Sequence, residues 1–224
     1  CEHVIRHYNE GWADGFHYNI SYWEIWNEPD SNSKKQWSGT QEQFFDLYET
    51  TAKHLKARFP HLKIGGPAVT FPIKKWVDLF LGYCRDHNVP LDFFSWHVYT
   101  AQPRDIEKLE GETRKLLDSF GFAQTESILD EWNYVSGWFG DDWIYSLRTE
   151  KSLKGSSFIA GTIMLSQYQP VDMLMYYDAR PCGMNGMFST DFVCDRLKGY
   201  YPFWMFNRLY QLGTAVPVSC DDRD

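Results

Sequence analysis

The feature that most constrains this chain is a repeat of segment type rather than of residues. Five strand-like runs recur: ISYWEIWN (20–27), LKIGGPAV (62–69), DFFSWHVYT (92–100), ESILDEWN (126–133) and VDMLMYYDA (171–179). Each is followed by a helix-like run. Phe44, Tyr48, Thr51, Leu55 and Phe59 line one face of 41–59; Trp76, Phe80 and Tyr83 line one face of 73–87. Ile106, Leu109, Thr113, Leu116 and Phe120 mark the third helix, 149–168 the fourth and 199–212 the last. Strands joined through helices run parallel, because a crossover of that length returns the chain to the end where it began.

Two architectures fit this order: a doubly wound open sheet, or part of a (β/α)8 barrel. The doubly wound fold carries a glycine-rich phosphate loop after its first strand. Here the only GG lies inside a strand-like run, and there is no GxGxxG or GxxxxGK[ST]. Polar and ionisable residues instead recur where strands end: Asn27-Glu28, His97 and Tyr99, Glu131-Trp132-Asn133, Tyr177-Asp178 and Arg180. In a barrel that rim holds the active site. A barrel needs eight strands in roughly 250 residues, and five are counted in 224. The expected fold is therefore α/β: a partial (β/α)8 TIM barrel over residues 1–213, corresponding to strands 4 to 8, with the first three strands upstream. The opening run CEHVIRHYNEGW reads as helix, with Val4, Ile5, Tyr8 and Trp12 on one face. Residues 214–224 read as the start of a tail or accessory β segment.

Composition narrows the partners. A hydrophobic fraction of 43% is enough for a real core, and an aromatic fraction of 18% exceeds what such a core needs. Surplus rings are either core bulk or flat apolar faces suited to sugars. A net charge of −8, with no basic run longer than two, argues against nucleic acid or an anionic membrane surface. No apolar stretch approaches the roughly 20 residues of a spanning helix. The five cysteines (Cys1, Cys84, Cys182, Cys194, Cys220) show no metal spacing. Cys84 reads as a core thiol; Cys182 and Cys194 are either free or paired in an oxidising compartment. With no HExxH, EF-loop or GxSxG pattern, no metal or other cofactor is expected.

Two carboxylates stand out. Glu28 and Glu131 each end a strand beside Asn or Trp, three β-α units apart, so a closed barrel sets them facing across its mouth. Glycoside hydrolysis needs such a pair, one to protonate the leaving oxygen and one to attack the anomeric carbon or activate water. The bland alternative is two solvated strand-end charges.

WNEP at 26–29 followed by DEWN at 130–133, on alternating β/α elements, resembles the retaining glycosidases of clan A. EIWNEPD, then SWHVY, then EWN most resembles glycoside hydrolase family 39, the β-xylosidase and α-L-iduronidase family. That resemblance implies a retaining, β-xylosidase-like glycosidase acting on a carbohydrate. Glu28 would be the acid/base, Glu131 the nucleophile, and Asn27 the amide that binds the sugar 2-hydroxyl. His97 and Tyr99 would flank the nucleophile.

Alternation places Ser95, His97 and Tyr99 on the barrel face of their strand and Phe94, Trp96 and Val98 toward the helices. It places Leu129, Glu131 and Asn133 together and turns Asp130 outward. Glu24 shares parity with Glu28 and is expected to point into the barrel below it, paired with an Arg or Lys on one of the upstream strands. Trp132 and Asn133 are further candidates for substrate contact. On the last strand, Tyr176 or Tyr177 is expected to supply a stacking face and Asp178 and Arg180 polar sugar contacts, with a structural ion pair as the alternative for Arg180. Trp138 and Trp143 are either subsite platforms or rim packing. The rival functional readings are a non-catalytic sugar-binding barrel and a piece of a glycosidase without activity of its own.

Overall fold

The structure is a computed structural model and describes residues 1–31, 36–191 and 193–216. The elements run α1 (Glu2–Glu10), β1 (Tyr22–Glu24), α2 (Gln41–Arg58), β2 (Lys63–Val69), α3 (Lys75–Asp86) and β3 (Phe93–Thr100). They continue α4 (Pro103–Ser119), β4 (Glu126–Tyr134), α5 (Gly140–Glu150), α6 (Leu153–Ser166), β5 (Met173–Tyr176) and α7 (Tyr200–Leu212). The five strands pair in the order β1-β2-β3-β4-β5, every neighbour parallel, and the sheet curls into a half-barrel with helices outside. Strands β1 and β5 are its open edges.

Local chemistry explains where elements begin. The α2 start is a capping box: Thr40 Oγ1 accepts from the Gln43 amide and Gln43 Oε1 from the Thr40 amide. Pro103 opens α4, where a missing N–H costs nothing. The GG of β2 is a matter of space. A Cβ on Gly65 would lie 2.2 Å from the Phe93 carbonyl oxygen, and Gly66 has φ +136°. No side chain fits there, so β2 approaches β3 closely.

The core lies between sheet and helices. Phe94, Trp96 and Val98 of β3 pack there with Leu129 and Trp132 of β4, Phe44 and Tyr48 of α2, Phe80 of α3, and Ile106 and Leu117 of α4. Ser95, His97 and Tyr99 take the opposite, concave face, as alternation requires.

Three boundaries differ from expectation. The first strand stops at Glu24 rather than Asn27, because Trp26 (φ +75°) and Glu28 (φ +48°) turn into the left-handed region. A separate helix, α5, occupies residues expected as loop, and α6 starts afresh at Leu153, where Ser152 caps its first amides. The last strand covers only Met173–Tyr176. Of the tail expected at 214–224, residues 217–224 lie outside the described residues. Among the described residues no helix is long and apolar enough to cross a membrane.

Candidate active site

The carboxylate of Glu28 is placed by its backbone. Beyond β1 the chain keeps two hydrogen bonds to β2, Ile25 N to Gly65 O (2.9 Å) and Glu28 N to Ala68 O (2.8 Å), while φ is positive at Trp26 and Glu28. Positive φ at non-glycine residues is strained and persists only where surroundings enforce it. Asp30, its side chain fully buried, does the enforcing. Its carboxylate accepts from the Thr70 amide (3.0 Å) and hydroxyl (2.8 Å) and is ion-paired to Lys74. Asp30 therefore locks Glu28 onto the end of β2, a latch that the alternation of the strand gives no sign of.

On β4 the alternation fails. Leu129 pairs with Trp96 and Glu131 with the next residue, His97, so Asp130 is an extra residue in a β-bulge. The bulge shifts parity by one. Leu129 and Trp132 face the helices, while both Asp130 and Glu131 face inward. The expectation that Asp130 points outward and Leu129 shares a face with Glu131 is corrected accordingly. Two-residue periodicity cannot reveal a bulge.

The result is one buried imidazole among three carboxylates. His97 is fully buried; its Nδ1 lies 3.0 Å from Glu28 Oε1 and 3.5 Å from Glu131 Oε2, and its Nε2 lies 3.5 Å from Asp130 Oδ1. Tyr99 Oη donates to Glu131 Oε2 at 2.6 Å. Burial alone would lower the His97 pKa, but Asp130, Glu28 and Glu131 outweigh it and push it up to about 10. Burial raises the Glu131 carboxyl above the ordinary range, against the opposing pull of His97 and the Tyr99 hydrogen bond. Burial, then the negative charge of Glu131, raises the Tyr99 phenol. Glu24 shares this concave face. Desolvation and the charge of Asp130 raise its carboxyl, against the opposing pull of a Ser95 hydrogen bond and of His97.

One oxygen of Glu28, one of Glu131 and a His97 ring nitrogen all lie within 4.8 Å of one another. Among the described residues this is the one group close enough to hold a metal ion. Its chemistry favours a proton instead, since His97 Nδ1 already sits at hydrogen-bond distance from Glu28.

Glu28 and Tyr99 open into a cleft of about 630 Å³ whose other walls are Ser31, Thr70, Phe71, Trp138 and Phe139. Phe71 lies two residues beyond the end of β2 and Phe139 precedes α5. An aromatic residue at each strand or helix boundary was the signal available for both. Trp138 packs edge-on against Tyr99 at 5.0 Å and stacks on Trp143 of α5 at 5.4 Å, so Trp138 faces the cleft and Trp143 backs it.

The other candidates divide. Asn27 is exposed beside Glu28. Tyr177 stands edge-on to Tyr99 at 6.4 Å. Trp132 does not reach the cleft: it is 1% exposed and packs on Phe158 and Tyr176 in the helix-facing core. Tyr176 pairs with Trp132 across the sheet and packs on Phe203, so it too lies on the helix side. Asn133 is buried, and its Nδ2 donates to the carbonyls of Tyr177 (2.7 Å) and Met184 (2.9 Å), tying down the loop after β5. Asp178 accepts from the Arg180 side chain (2.6 Å) and amide (2.8 Å), the structural ion pair of the two readings. Cys182 and Cys194 are both free thiols, and Cys182 Sγ points at Asp178 (3.4 Å).

The model of glycosyl hydrolases family 39 matches residues 2–125, more than half of the chain. The chain belongs to that family. The matched span contains Glu28, His97 and Tyr99 and ends before Glu131. A β-xylosidase of Geobacillus stearothermophilus is 42% identical over 80 residues, 35% of this chain and 16% of its own length. The α-L-iduronidase of Homo sapiens is 31% identical over 139 residues, 54% of this chain and 21% of its own. In three dimensions this family 39 chain superposes on a glucosidase from Croceicoccus marinus with a TM-score of 0.66 at 33% identity, covering 78% of this chain and 36% of that one. It also superposes on a monomeric β-xylosidase from Caulobacter crescentus with a TM-score of 0.66 at 20% identity, which speaks to the fold alone. The chain thus spans well under half the length of these relatives.

Proposed function

We propose that this family 39 chain carries the carboxylate pair of a retaining glycosidase, β-xylosidase-like in its substrate class. Glu131 attacks the anomeric carbon and Glu28 protonates the departing oxygen; Glu28 then takes the proton from the water that releases the sugar. The observation that carries the reading is the approach of the two carboxylates, with an oxygen of each within 4.8 Å of the other. Retaining enzymes keep their carboxyls about 5–5.5 Å apart, whereas inverting enzymes need about 6.5–9.5 Å to admit a water.

The neighbours suit these roles. A nucleophile must be ionised, and Tyr99 and His97 both favour the charged form of Glu131 against its burial. Glu28 faces the cleft walled by Phe71, Trp138 and Phe139, which suits it to meet the leaving group there. Among the described residues lining that cleft, Phe71, Trp138 and Phe139 offer flat apolar faces that suit a sugar ring or an apolar aglycone.

The test uses the full chain and aryl glycosides. Glu131→Ala is expected to abolish turnover of every substrate. Glu28→Gln is expected to spare activated aryl glycosides, whose leaving group needs no proton, in the first step, and to suppress unactivated ones. Wild-type turnover by Glu131→Ala would sink the assignment.

A further inference from the structure

Asp130 has no place in the two-carboxylate scheme, yet its burial needs explaining. The bulge turns it into the interior, where its side chain is 11% exposed and Oδ1 is fully enclosed. His97 Nε2, itself enclosed, lies 3.5 Å from Oδ1, and neither atom has a hydrogen-bond partner among the described residues. On the other side of the ring, Nδ1 meets Glu28 at 3.0 Å and Glu131 at 3.5 Å.

The tautomers decide what His97 is. A neutral imidazole has one N–H and one bare lone pair. With the proton on Nδ1, the lone pair of Nε2 is aimed at the Asp130 carboxylate. With the proton on Nε2, the lone pair of Nδ1 is aimed at Glu28 and at Glu131, and Glu131 is ionised as the nucleophile. Only the doubly protonated ring presents a donor to carboxylates on both sides. The groups facing it from each packed element agree. Strand β4 supplies Asp130 and Glu131, β1 and its following turn supply Glu24 and Glu28, and β3 adds Ser95 and Tyr99. The adjoining stretch of β2 is Gly65 to Ala68 and offers no charge.

We propose that Asp130 is a positioning residue, displaced inward by the β-bulge to hold His97 as an imidazolium fixed between Glu28 and Glu131. This rests on the roles proposed above for those two glutamates. The fixed cation serves both stages of the reaction. It favours the ionised form of Glu131 before attack, and it steadies the negative charge left on Glu28 once its proton has gone to the leaving group. Asp130 touches neither substrate nor reacting atom; it acts through His97, against the smaller direct effect of its own charge, which raises Glu131.

The experiment is an NMR titration of the His97 ring nitrogens in the full chain, paired with the pH dependence of kcat. In the wild type, His97 should remain an imidazolium past pH 8. In Asp130→Asn, the midpoint should fall by about one pH unit or more, as expected on removing a neighbouring opposite charge. A new limb in kcat should then appear at that same midpoint, with KM unchanged. Asp130→Glu, which keeps the charge, should restore both, so a folding defect is separable from loss of charge. A wild-type His97 that titrates near 6.5, or a midpoint that Asp130→Asn leaves in place, overturns the charge assignment. A moved midpoint without a matching limb in kcat overturns the positioning role. The titration reads His97 whatever the reaction, so a fully active Glu131→Ala would overturn the proposed function separately.

Discussion

Tyr99 and Glu131 sit on adjacent strands, and the phenol of one donates to the carboxylate of the other at 2.6 Å. Tyr99 pairs in register with Asn133, two residues beyond Glu131, so the hydrogen bond runs diagonally across the concave face. The His97 charge and this bond oppose what burial and the charges of Glu28 and Asp130 do to Glu131, whose carboxyl is raised overall.

Tyr99→Phe therefore removes a bond to the charged form and leaves the ring in place. A hydrogen bond to a charged group contributes about 1.5–3 kcal/mol, which corresponds to a loss of roughly 10- to 150-fold in kcat/KM. The pKa of Glu131 should rise further, so the acid limb of the kcat/KM profile should move to higher pH. A profile that superimposes on the wild type would mean that Tyr99 does not tune Glu131.

Buried carboxyls outside the site set a pH dependence of stability. Glu150, at the end of α5, is fully buried, and neither carboxylate oxygen has a hydrogen-bond partner among the described residues. Burial raises its pKa to about 8, and that of Glu110, which accepts from Ser166, to about 7. In the unfolded chain both return to about 4.3. Each folded-state pKa is raised, so the stability each contributes is full below about 4.3 and is lost as pH rises through about 7 and about 8. Glu150→Gln cannot ionise. It should match the wild-type melting temperature near pH 5 and exceed it by about 5–10 °C near pH 8.5, a gain of a few kcal/mol. Parallel melting curves across that range would refute the assignment.

Much of the fold was legible because it rests on period and composition. The β-α order, the opposite faces of β3 and the helix faces of α2 to α4 follow from side-chain direction in regular elements. What escaped did so where regularity ends. Left-handed φ at Trp26 and Glu28 cut β1 short, although neither residue favours that conformation on its own. The bulge at Asp130 reversed the parity of everything upstream of it on β4 relative to Glu131. Asn133 was legible as a residue of the strand end but not as a staple, because its partners are carbonyls of a distant loop. The Glu28 and Glu131 motifs were legible as words; their approach to within 4.8 Å needed the curl of the sheet.

Phe139 tests the cleft. It is 88% exposed and lines the wall facing Glu28, so its removal leaves no cavity in the core. Phe139→Ala should weaken binding of an aryl glycoside by about 1–2 kcal/mol, roughly 5- to 30-fold in KM, with kcat little changed. Trp138→Ala should act in the same sense, with an added fall in kcat because Trp138 also buttresses Tyr99. An unchanged KM in both variants would place the leaving group elsewhere.

Trp132 and Trp138 are six residues apart in chain order and opposite in expected behaviour. Trp132 directly follows Glu131, so ordinary alternation sends it to the opposite face, into the helix-facing core at 1% exposure, against Phe158 and Tyr176. Truncating a buried tryptophan costs about 3–5 kcal/mol. Trp132→Ala should lower the melting temperature by roughly 6–20 °C, while the protein that remains folded keeps the wild-type KM. Trp138→Ala should do the reverse, shifting KM and leaving the melt within about 2 °C, since a half-exposed rim residue contributes little to the core. A Trp132→Ala variant that melts like the wild type but binds substrate poorly would return Trp132 to the sugar-binding side and refute the alternation that places it opposite Glu131.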